Sequence, residues 1–322
     1  MKRLIYIFFL LPLLVSCESE ISYSGKETAP VLVLEAMPQS GTKRLVCYIN
    51  SSHSIVDNSK TNPETLKNVL IELSLSSGEC RIVKDSISNY WHYLTLANPI
   101  PAGDTMRITV SHPDYPTITA KEFILPKLVP TIESLKKDTD RNGLMEYHLS
   151  LLMPDYPYAD QLVGVNSVAY ITRTQDTTKT KLYGRGVYSK DELFALSENR
   201  INLYYDAHYS NDEGYLFFRT NYPSGKRTDI TLCTGAKSTI KSGDTTYTYT
   251  VDSLILDFEV RSETYNYYYE SMKEYVRQQG EFSGFASGMS LEEPLIVYSN
   301  VKNGYGIFAS KTHTMFIIKD KR

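Results

Sequence analysis

Serine, lysine and histidine are the residues with which this sequence could catalyse a reaction, but none stands at the spacing that such chemistry needs. Ser287 is the fourth residue of 284–288, whereas a nucleophile elbow centres its serine in G-x-S-x-G. The segment 235–239 lacks the glycine that adjoins the lysine of a phosphate-binding loop. No two histidines flank a glutamate at the i, i+4 spacing of a zinc protease. We therefore expect a protein that is not an enzyme and carries no cofactor.

Oxygen-bearing side chains also crowd into one segment that could hold a cation. Asp206, His208, Asp212 and Glu213 lie close together in the sequence. Carboxylate oxygens are ligands that Ca²⁺ prefers. The same residue types are typical of a solvated turn. We predict a turn here and no metal site.

Cys17 is the residue whose chemistry the sequence indicates most clearly. The basic pair Lys2 and Arg3 precedes an uncharged run, 4–15, shorter than the roughly 20 residues of a membrane-spanning helix. Such a run is typical of the core of a signal peptide. The stretch 14–17, Leu-Val-Ser-Cys, resembles a bacterial lipobox, in which the small residue before the cysteine admits the lipoprotein signal peptidase.

Cleavage before Cys17 would make it the first residue of the mature chain. Its thiol would carry a diacylglycerol, and its amino group could receive a further fatty acyl chain such as palmitate. Two or three chains hold a protein firmly at a membrane, since each buried CH₂ contributes ~0.8 kcal/mol. We predict a lipoprotein signal peptide over 1–16 and a lipidated N-terminus with a tether over 17–29. The alternative is a secreted protein with an accidental cysteine.

Two acidic residues directly after Cys17 bear on which face of the membrane carries the protein. Glu18 and Glu20 resemble the acidic signal that follows the lipidated cysteine of surface-exported lipoproteins in Bacteroidota. We expect an outer-membrane protein on the cell surface. The periplasmic face of the outer membrane is the alternative.

The charge of the chain disfavours nucleic acid as a partner. The sequence has 34 basic and 37 acidic residues, and removal of Lys2 and Arg3 with the signal peptide leaves 32 against 37, a net charge of −5. Affinity for nucleic acid depends on clustered Lys and Arg that neutralise phosphates. We therefore expect no nucleic-acid partner.

Three further cysteines, Cys47, Cys80 and Cys233, lie in the body of the chain. An oxidising envelope permits a disulfide, and three thiols leave at least one unpaired. Cys47 and Cys80 each lie on the same face of a predicted strand as apolar residues, so both should face a core. They could form a bridge or remain buried free thiols.

The composition and the patterning predict a mainly β protein. Strand-like runs separated by turn signals fill 31–125, for example 104–110, in which apolar and polar residues alternate. About seven strands in this length are typical of an immunoglobulin-like β-sandwich, which we place at 30–126. Prolines at both ends of 126–130 favour an extended chain, so we predict a connector over 127–130.

The rest of the chain, 131–322, is predicted to be a larger β-rich domain with two short helices. Ser189 and Glu192 have capping-box spacing before an apolar run. A second helix is predicted from Ser262 to Gly280, with tyrosines at helical spacing. We expect this tyrosine stripe to pack on a sheet.

Other aromatic residues raise the question of a binding surface. Trp91 and Tyr93 share one face of their strand, and we expect Trp91 to be the core tryptophan of the sandwich. Tyrosines near loops could instead stack on a glycan or dock on a peptide. They are Tyr156, Tyr158, Tyr204 and Tyr205.

The end of the chain carries a pattern that is similar to a known family. In 293–310, EPLIVYSNVKNGYGIFAS, the matching positions include Asn300, Gly304, Gly306 and Phe308. The segment resembles the closing pattern of a Bacteroidota lipoprotein family, domain-of-unknown-function family 4249. The resemblance implies an outer-membrane lipoprotein, commonly encoded beside a TonB-dependent receptor, and it brings no catalytic residues.

The same four residues also have a structural interpretation. Gly304 and Gly306 could supply positive φ or close backbone approach in a hairpin turn. Asn300 would cap that turn, and Phe308 would pack inward.

These observations lead to one expected function and two alternatives. We expect a non-catalytic lipoprotein that is an accessory of a TonB-dependent outer-membrane transporter, in complex assembly or ligand capture. The first alternative is a surface lipoprotein that binds a glycan or a peptide. The second is a structural or adhesive surface subunit.

Overall fold

The computed structural model describes residues 29–52, 66–173, 179–183, 187–194, 216–242, 245–281 and 297–319. These residues form a mainly β structure, which confirms the predicted fold class. In the part of the chain that the structure describes, no helix is both long and apolar enough to cross a membrane.

The strands and the helix are numbered in chain order. They are β1 (Leu32–Ala36), β2 (Arg44–Ser51), β3 (Leu70–Leu75), β4 (Gly78–Glu79), β5 (Ile82–Ser88), β6 (Trp91–Leu96), β7 (Thr105–His112), β8 (Tyr115–Phe123), β9 (Thr131–Thr139), β10 (Leu144–Leu152), β11 (Leu162–Arg173), β12 (Lys179–Tyr183), β13 (Val187–Tyr188), β14 (Leu216–Arg219), β15 (Arg227–Lys237), β16 (Thr239–Ser242), β17 (Thr245–Arg261), α1 (Glu263–Glu281), β18 (Tyr305–Phe308) and β19 (Lys311–Lys319).

The first part of the chain is a β-sandwich. A five-stranded sheet, β18-β1-β2-β6-β5, faces a four-stranded sheet, β4-β3-β7-β8. Strand alternation builds the core between them: Met106, Ile108 and Val110 of β7 are buried, while Arg107 between them is exposed. Leu34 and Leu94 cover this core from the opposite sheet.

The chain changes sheets between Glu79 and Ile82. β4 pairs with β3 in one sheet, and β5 pairs with β6 in the other. Cys80 lies between the two strands and is buried in the core. A periodicity argument cannot show a change of sheet, because a local pattern does not say with which strand a segment pairs.

A strand from the far end of the chain completes the first sandwich. β18 pairs in parallel with β1, and Phe308 of β18 is fully buried in the first core. A division of the chain at 127–130 assigns this strand to the second part, whereas the structure pairs it with the first. Strand pairing over such a separation depends on tertiary packing and leaves no local signal.

The connector and the second part have a separate core. Residues 124–130 contain neither helix nor strand, and Leu128 is buried in the second core. One sheet has the order β13-β15-β10-β9, and the other β12-β11-β17-β16, with β14 beside β11 and β19 beside β17. Tyr147, Phe218 and Phe258 are among the largest side chains buried between them.

The sequence predicts two helices in the second part, and the described residues contain one α-helix. At the first predicted site the described residues form a 3₁₀ turn, Glu192–Phe194, and the residues that follow lie outside the described part of the chain. Ser189 donates its hydroxyl to the carbonyl of Asp229 on β15, and this bond ties the predicted capping residue to the sheet. The Asp191 carboxylate caps the turn instead by accepting the N–H of Leu193 at 2.9 Å.

The second predicted helix is present as α1. The Ser262 hydroxyl accepts the N–H of Tyr265 at 3.2 Å, as an N-cap does. Tyr265 is buried against Ile307 and Ala309, and other tyrosines of the helix pack beside it. The tyrosine stripe therefore packs on a sheet, as predicted, and the sheet belongs to the first sandwich.

Candidate functional site

The strand β6 turns its aromatic residues outward, so the prediction that Trp91 is a core residue is wrong. Trp91 and Tyr93 are 40% and 46% exposed. His92 and Leu94 point into the core, where the His92 ring bonds to the Asp85 carboxylate at 2.9 Å. The inward face of β6 carries Leu94 and Leu96. Burying these two leucines is more favourable than burying Trp91 and Tyr93, whose rings carry polar atoms.

An open groove of about 630 Å³ lies on the outer face of the five-stranded sheet. Its floor comes from β1, β2 and β6, and one end comes from the turn between β1 and β2. Among the lining residues are Glu35, Gln39, Lys43, Arg44, Val46 and Trp91. The groove therefore combines an indole ring with a carboxylate, an amide and two cations.

Neighbouring strands hold the aromatic rings of this face in fixed positions. Tyr48 is the register partner of both Glu35 on β1 and Trp91 on β6. The rings of Tyr48 and Trp91 meet edge to face, with centroids 5.2 Å apart and planes at 62°. Val46 and Tyr93 are partners in the adjacent row. The rows form a rigid, flat surface beside the groove.

Glu35 is the acidic group of the groove, and it is partly buried. Burial raises the pKa of its carboxyl above the ordinary value of 4.5. Tyr268 of helix α1 is near enough to feel this carboxylate. Burial and then the charge of Glu35 raise the pKa of Tyr268 to about 12. Within the described residues, the Glu35 carboxylate accepts no hydrogen bond.

The turn between β1 and β2 is held by its own hydrogen bonds. The Thr42 hydroxyl lies 3.1 Å from the carbonyl oxygen of Gln39 and 3.0 Å from that of Arg44. The Gly41 N–H donates to the carbonyl of Ile100 at 2.8 Å. These bonds fix the position from which Lys43 and Arg44 reach the groove.

A second cluster of charged residues lies under helix α1, where β17 meets β19. Glu259 and Arg261 form a buried ion pair, and Lys311 Nζ lies 2.9 Å from Glu259 Oε2. The Arg261 guanidinium also lies 5.5 Å from the ring centroid of Tyr265. His313 Nδ1 is 2.8 Å from Asp257 Oδ2.

The electrostatics of this cluster favour ion pairing. Burial alone would raise the pKa of Glu259, but the charges of Arg261, Lys311 and His313 outweigh burial and lower it. For Lys311, burial lowers the pKa, and the charge of Glu259 more than compensates and raises it. The network joins the second sandwich to the helix that covers the first.

One carboxylate pair and one histidine in this cluster could hold a metal ion by their spacing. Ligand atoms of Asp257, Glu259 and His313 all lie within 4.8 Å of one another. Arg261 and Lys311 already neutralise Glu259, so a divalent cation would meet two positive charges beside its ligands. The donor set suits a charge network better than a metal.

The residues of the closing pattern surround β18. Asn300 accepts the N–H of Phe308 at 2.9 Å and donates its amide to the carbonyl of Phe308 at 2.7 Å. A Cβ on Gly304 would overlap the carbonyl oxygen of Leu32. Gly306 has φ +110°. The glycines thus allow close backbone approach, but they join β18 to β1 in parallel and form no hairpin.

Cys47, Cys80 and Cys233, all in the described part of the chain, are not joined by a disulfide. Cys47 and Cys80 are buried, and Cys233 is partly buried. Burial raises the pKa of Cys47 and of Cys80, which keeps both protonated and unreactive. The structure therefore has the second of the two states that the sequence left open.

Of the loop tyrosines, the two that the structure describes are parts of the second core. The Tyr156 hydroxyl donates to the carbonyl of Pro126 at 2.9 Å. Tyr158 packs edge to face on Phe123 at 5.0 Å. Neither provides a binding platform.

Several predicted residues lie outside the described residues. They are the signal peptide 1–16, Cys17 and the tether up to residue 28, Tyr204, Tyr205, Asp206, His208, Asp212, Glu213 and Ser287.

Two groups of residues were not predicted from the sequence: the polar side chains of the groove and the buried charge cluster. Glu35 interrupts the apolar strand VLVLEAM, and this interruption marks an outward position with a special environment. In LDFEVR, 256–261, three charged residues alternate with apolar ones. Both signals were present, but neither identifies the partner residues.

A family model described as "Domain of unknown function (DUF4249)" matches residues 18–316. No curated protein matches the chain.

Proposed function

The chain belongs to the DUF4249 family, and we propose that this member is a non-catalytic lipoprotein, anchored through Cys17 in the outer membrane. In this proposal it is an accessory of a TonB-dependent transporter and captures ligand for it. The lipobox at 14–17 and the resemblance to lipoproteins encoded beside such receptors support the anchor and the partner. Family membership itself, predicted from the closing pattern, is confirmed.

The observation that carries the ligand-capture role is the groove at Trp91. Exposed aromatic rings beside charged side chains, held on a rigid sheet, are typical of a surface that binds a ligand. A protein that only supports complex assembly has no need of such a groove.

The anchor is tested on the native protein. We expect mass spectrometry of the N-terminal peptide to find Cys17 as the first residue, with a diacylglycerol on its thiol. The Cys17→Ser variant should lose the lipid and leave the membrane fraction. An unmodified thiol at Cys17 in the native chain would refute the anchor.

The partner is tested by affinity purification from outer membranes in a mild detergent. We expect a TonB-dependent transporter to be recovered with the wild-type chain. Recovery of the chain without any outer-membrane barrel would contradict the accessory role.

The face of the membrane is tested on intact cells. Protease added outside should degrade the chain if it is on the cell surface, as Glu18 and Glu20 suggest. Protection in intact cells, with degradation after the outer membrane is opened, would place it on the periplasmic face.

A further inference from the structure

We propose that the groove at Trp91 is a glycan-binding site, in which a pyranose ring stacks on the indole of Trp91. The inference rests on the ligand-capture part of the proposed function and gives the chemical class of the ligand. Three properties of the groove lead to it: the exposed rings, the polar groups and the position of the groove within the sheet.

The rings offer the apolar contact that a sugar needs. A pyranose has one face of C–H groups, which packs on the negative face of an aromatic ring. Trp91 lines the groove and is 40% exposed, so part of the indole is open to a ligand. Tyr48 contacts the indole from the next strand and fixes its orientation, and Tyr93 extends the aromatic surface along β6.

The polar side chains of the groove match the hydroxyl groups of a sugar. Arg44 and Lys43 donate hydrogen bonds, Glu35 accepts them, and Gln39 does both. Glu35 is partly buried and has no hydrogen-bond partner in the described residues, so a ligand hydroxyl would satisfy it. A purely apolar ligand would leave these charged groups desolvated and unpaired.

The topology argues against a peptide that adds a strand. Such a peptide needs a free sheet edge, where its backbone can form a ladder. The floor of the groove is β1, β2 and β6, and each of these strands is paired on both sides in the order β18-β1-β2-β6-β5. The ligand must therefore be recognised by side chains alone, as a sugar chain is.

The chain contains a single tryptophan, so its tryptophan fluorescence reports on Trp91 alone. The whole mature lipoprotein, purified in detergent, is titrated with soluble hexasaccharides: α-1,4-linked glucose, β-1,4-linked glucose, β-1,4-linked mannose and an α-1,4-linked uronic acid, the last because of Lys43 and Arg44. A pool of short peptides is titrated in parallel. We expect at least one saccharide to shift or quench the tryptophan emission in a saturable way.

Variants then assign the binding to the groove, with calorimetry as the readout. We expect Trp91→Ala to weaken saccharide binding by about tenfold or more, which is the loss of one aromatic contact of about 1.4 kcal/mol. Glu35→Gln and Arg44→Gln should each weaken it several-fold. Tyr267→Ala is the matched control, because Tyr267 is an exposed aromatic residue on α1 outside the groove. It should bind like the wild type.

The outcomes separate this inference from the proposed function. Saccharide binding that Trp91→Ala leaves unchanged, peptide binding without saccharide binding, or no binding of any saccharide would each overturn the glycan site. Recovery of the transporter in the affinity purification would then still support the accessory role. Conversely, glycan binding that depends on Trp91, with no transporter recovered, would confirm the site and refute the partnership.

Discussion

At the scale of single residues, Gly306 is the described glycine that tolerates a side chain least. Its φ of +110° is one that residues with a side chain rarely adopt, and a Cβ there would overlap the carbonyl oxygen of Leu34. The parallel contact between β18 and β1 therefore depends on the absence of a side chain at this one residue.

We expect Gly306→Ala to lower the free energy of unfolding by about 2 to 4 kcal/mol, the sum of backbone strain and overpacking. Urea denaturation, monitored by circular dichroism, measures this loss of stability. Gly225→Ala is the control, since Gly225 has φ +69° but open space around its Cα. It should lose about 1 kcal/mol. Equal losses in the two variants would show that close approach to Leu34 contributes nothing.

Glu259 makes the free energy of unfolding depend on pH at acidic values. Its pKa lies below the ordinary value of 4.5, so the folded chain holds the proton less tightly than the unfolded chain does. The stabilisation by this carboxylate is therefore fully present above about pH 4.5 and is lost as the pH falls through the folded pKa. At neutral pH, Glu259→Gln leaves Arg261 and Lys311 without their buried counter-charge and should cost about 3 to 5 kcal/mol.

The difference in unfolding free energy between the wild type and Glu259→Gln should therefore shrink as the pH is lowered below 4.5. Urea denaturation at a series of pH values measures this difference. Glu133→Gln removes an exposed ion pair with Arg227 and should have a much smaller effect at neutral pH. A wild-type advantage that stays constant down to pH 2 would contradict the charged state that we assign to Glu259.

At the scale of elements, helix α1 packs on the first sandwich through the face that carries Tyr265. Tyr265 is buried against the first sandwich, whereas Tyr267 on the same helix is 58% exposed. Propensity does not hold this helix in place, because seven of its residues are tyrosine, valine or asparagine, which are only moderate helix formers. Its position depends on packing.

We expect Tyr265→Ala to lower the free energy of unfolding by about 3 to 5 kcal/mol, because it removes a large buried ring and its contact with Arg261. Tyr267→Ala should cost less than about 1 kcal/mol, since that ring is mainly in solvent. Chemical denaturation of both variants provides the comparison. Similar losses would mean that α1 packs through another face.

At the scale of the whole molecule, the first sandwich is incomplete without the last part of the chain. β18 covers the edge of β1, and Phe308 fills the first core. The Ser310 hydroxyl accepts the N–H of Leu125 at 3.0 Å, and the Thr312 hydroxyl donates to the carbonyl of Leu125 at 3.1 Å. The two sandwiches are thus joined where the connector starts.

We expect the fragment 30–126 to be unfolded or aggregated alone, because it lacks Phe308 and leaves β1 as an open edge. A synthetic peptide of residues 297–310 should restore the fold by adding the missing strand. Circular dichroism and amide hydrogen exchange measure this. The same peptide with Gly306→Val is the control and should not restore it. A fragment that folds equally well without the peptide would contradict the role of β18.

The groove lies near the junction of the two sandwiches. The groove lies on the sandwich that directly follows the predicted tether 17–29, and helix α1 stands beside Glu35 at its edge. Through Tyr265, Arg261 and Glu259, the helix is linked to the second sandwich. A ligand at Glu35 would therefore contact an element that both sandwiches hold.

The sequence by itself determined the features that depend on neighbouring residues. The alternation of apolar and polar residues predicted most strands, the cap at Ser262 predicted α1, and the closing pattern around Asn300 predicted the family. Each of these signals is local, because strand and helix periods act over a few residues. The charged strand β9 lacks such a signal, since polar residues occupy both of its faces.

Only the tertiary structure decided which elements meet. The pairing of β18 with β1, the outward direction of Trp91, and the meeting of Glu259 with Lys311 all join residues far apart in the chain or depend on which face finds a partner sheet. The physical reason is that burial, which selects the inward face and the pairing partner, is a property of the assembled core.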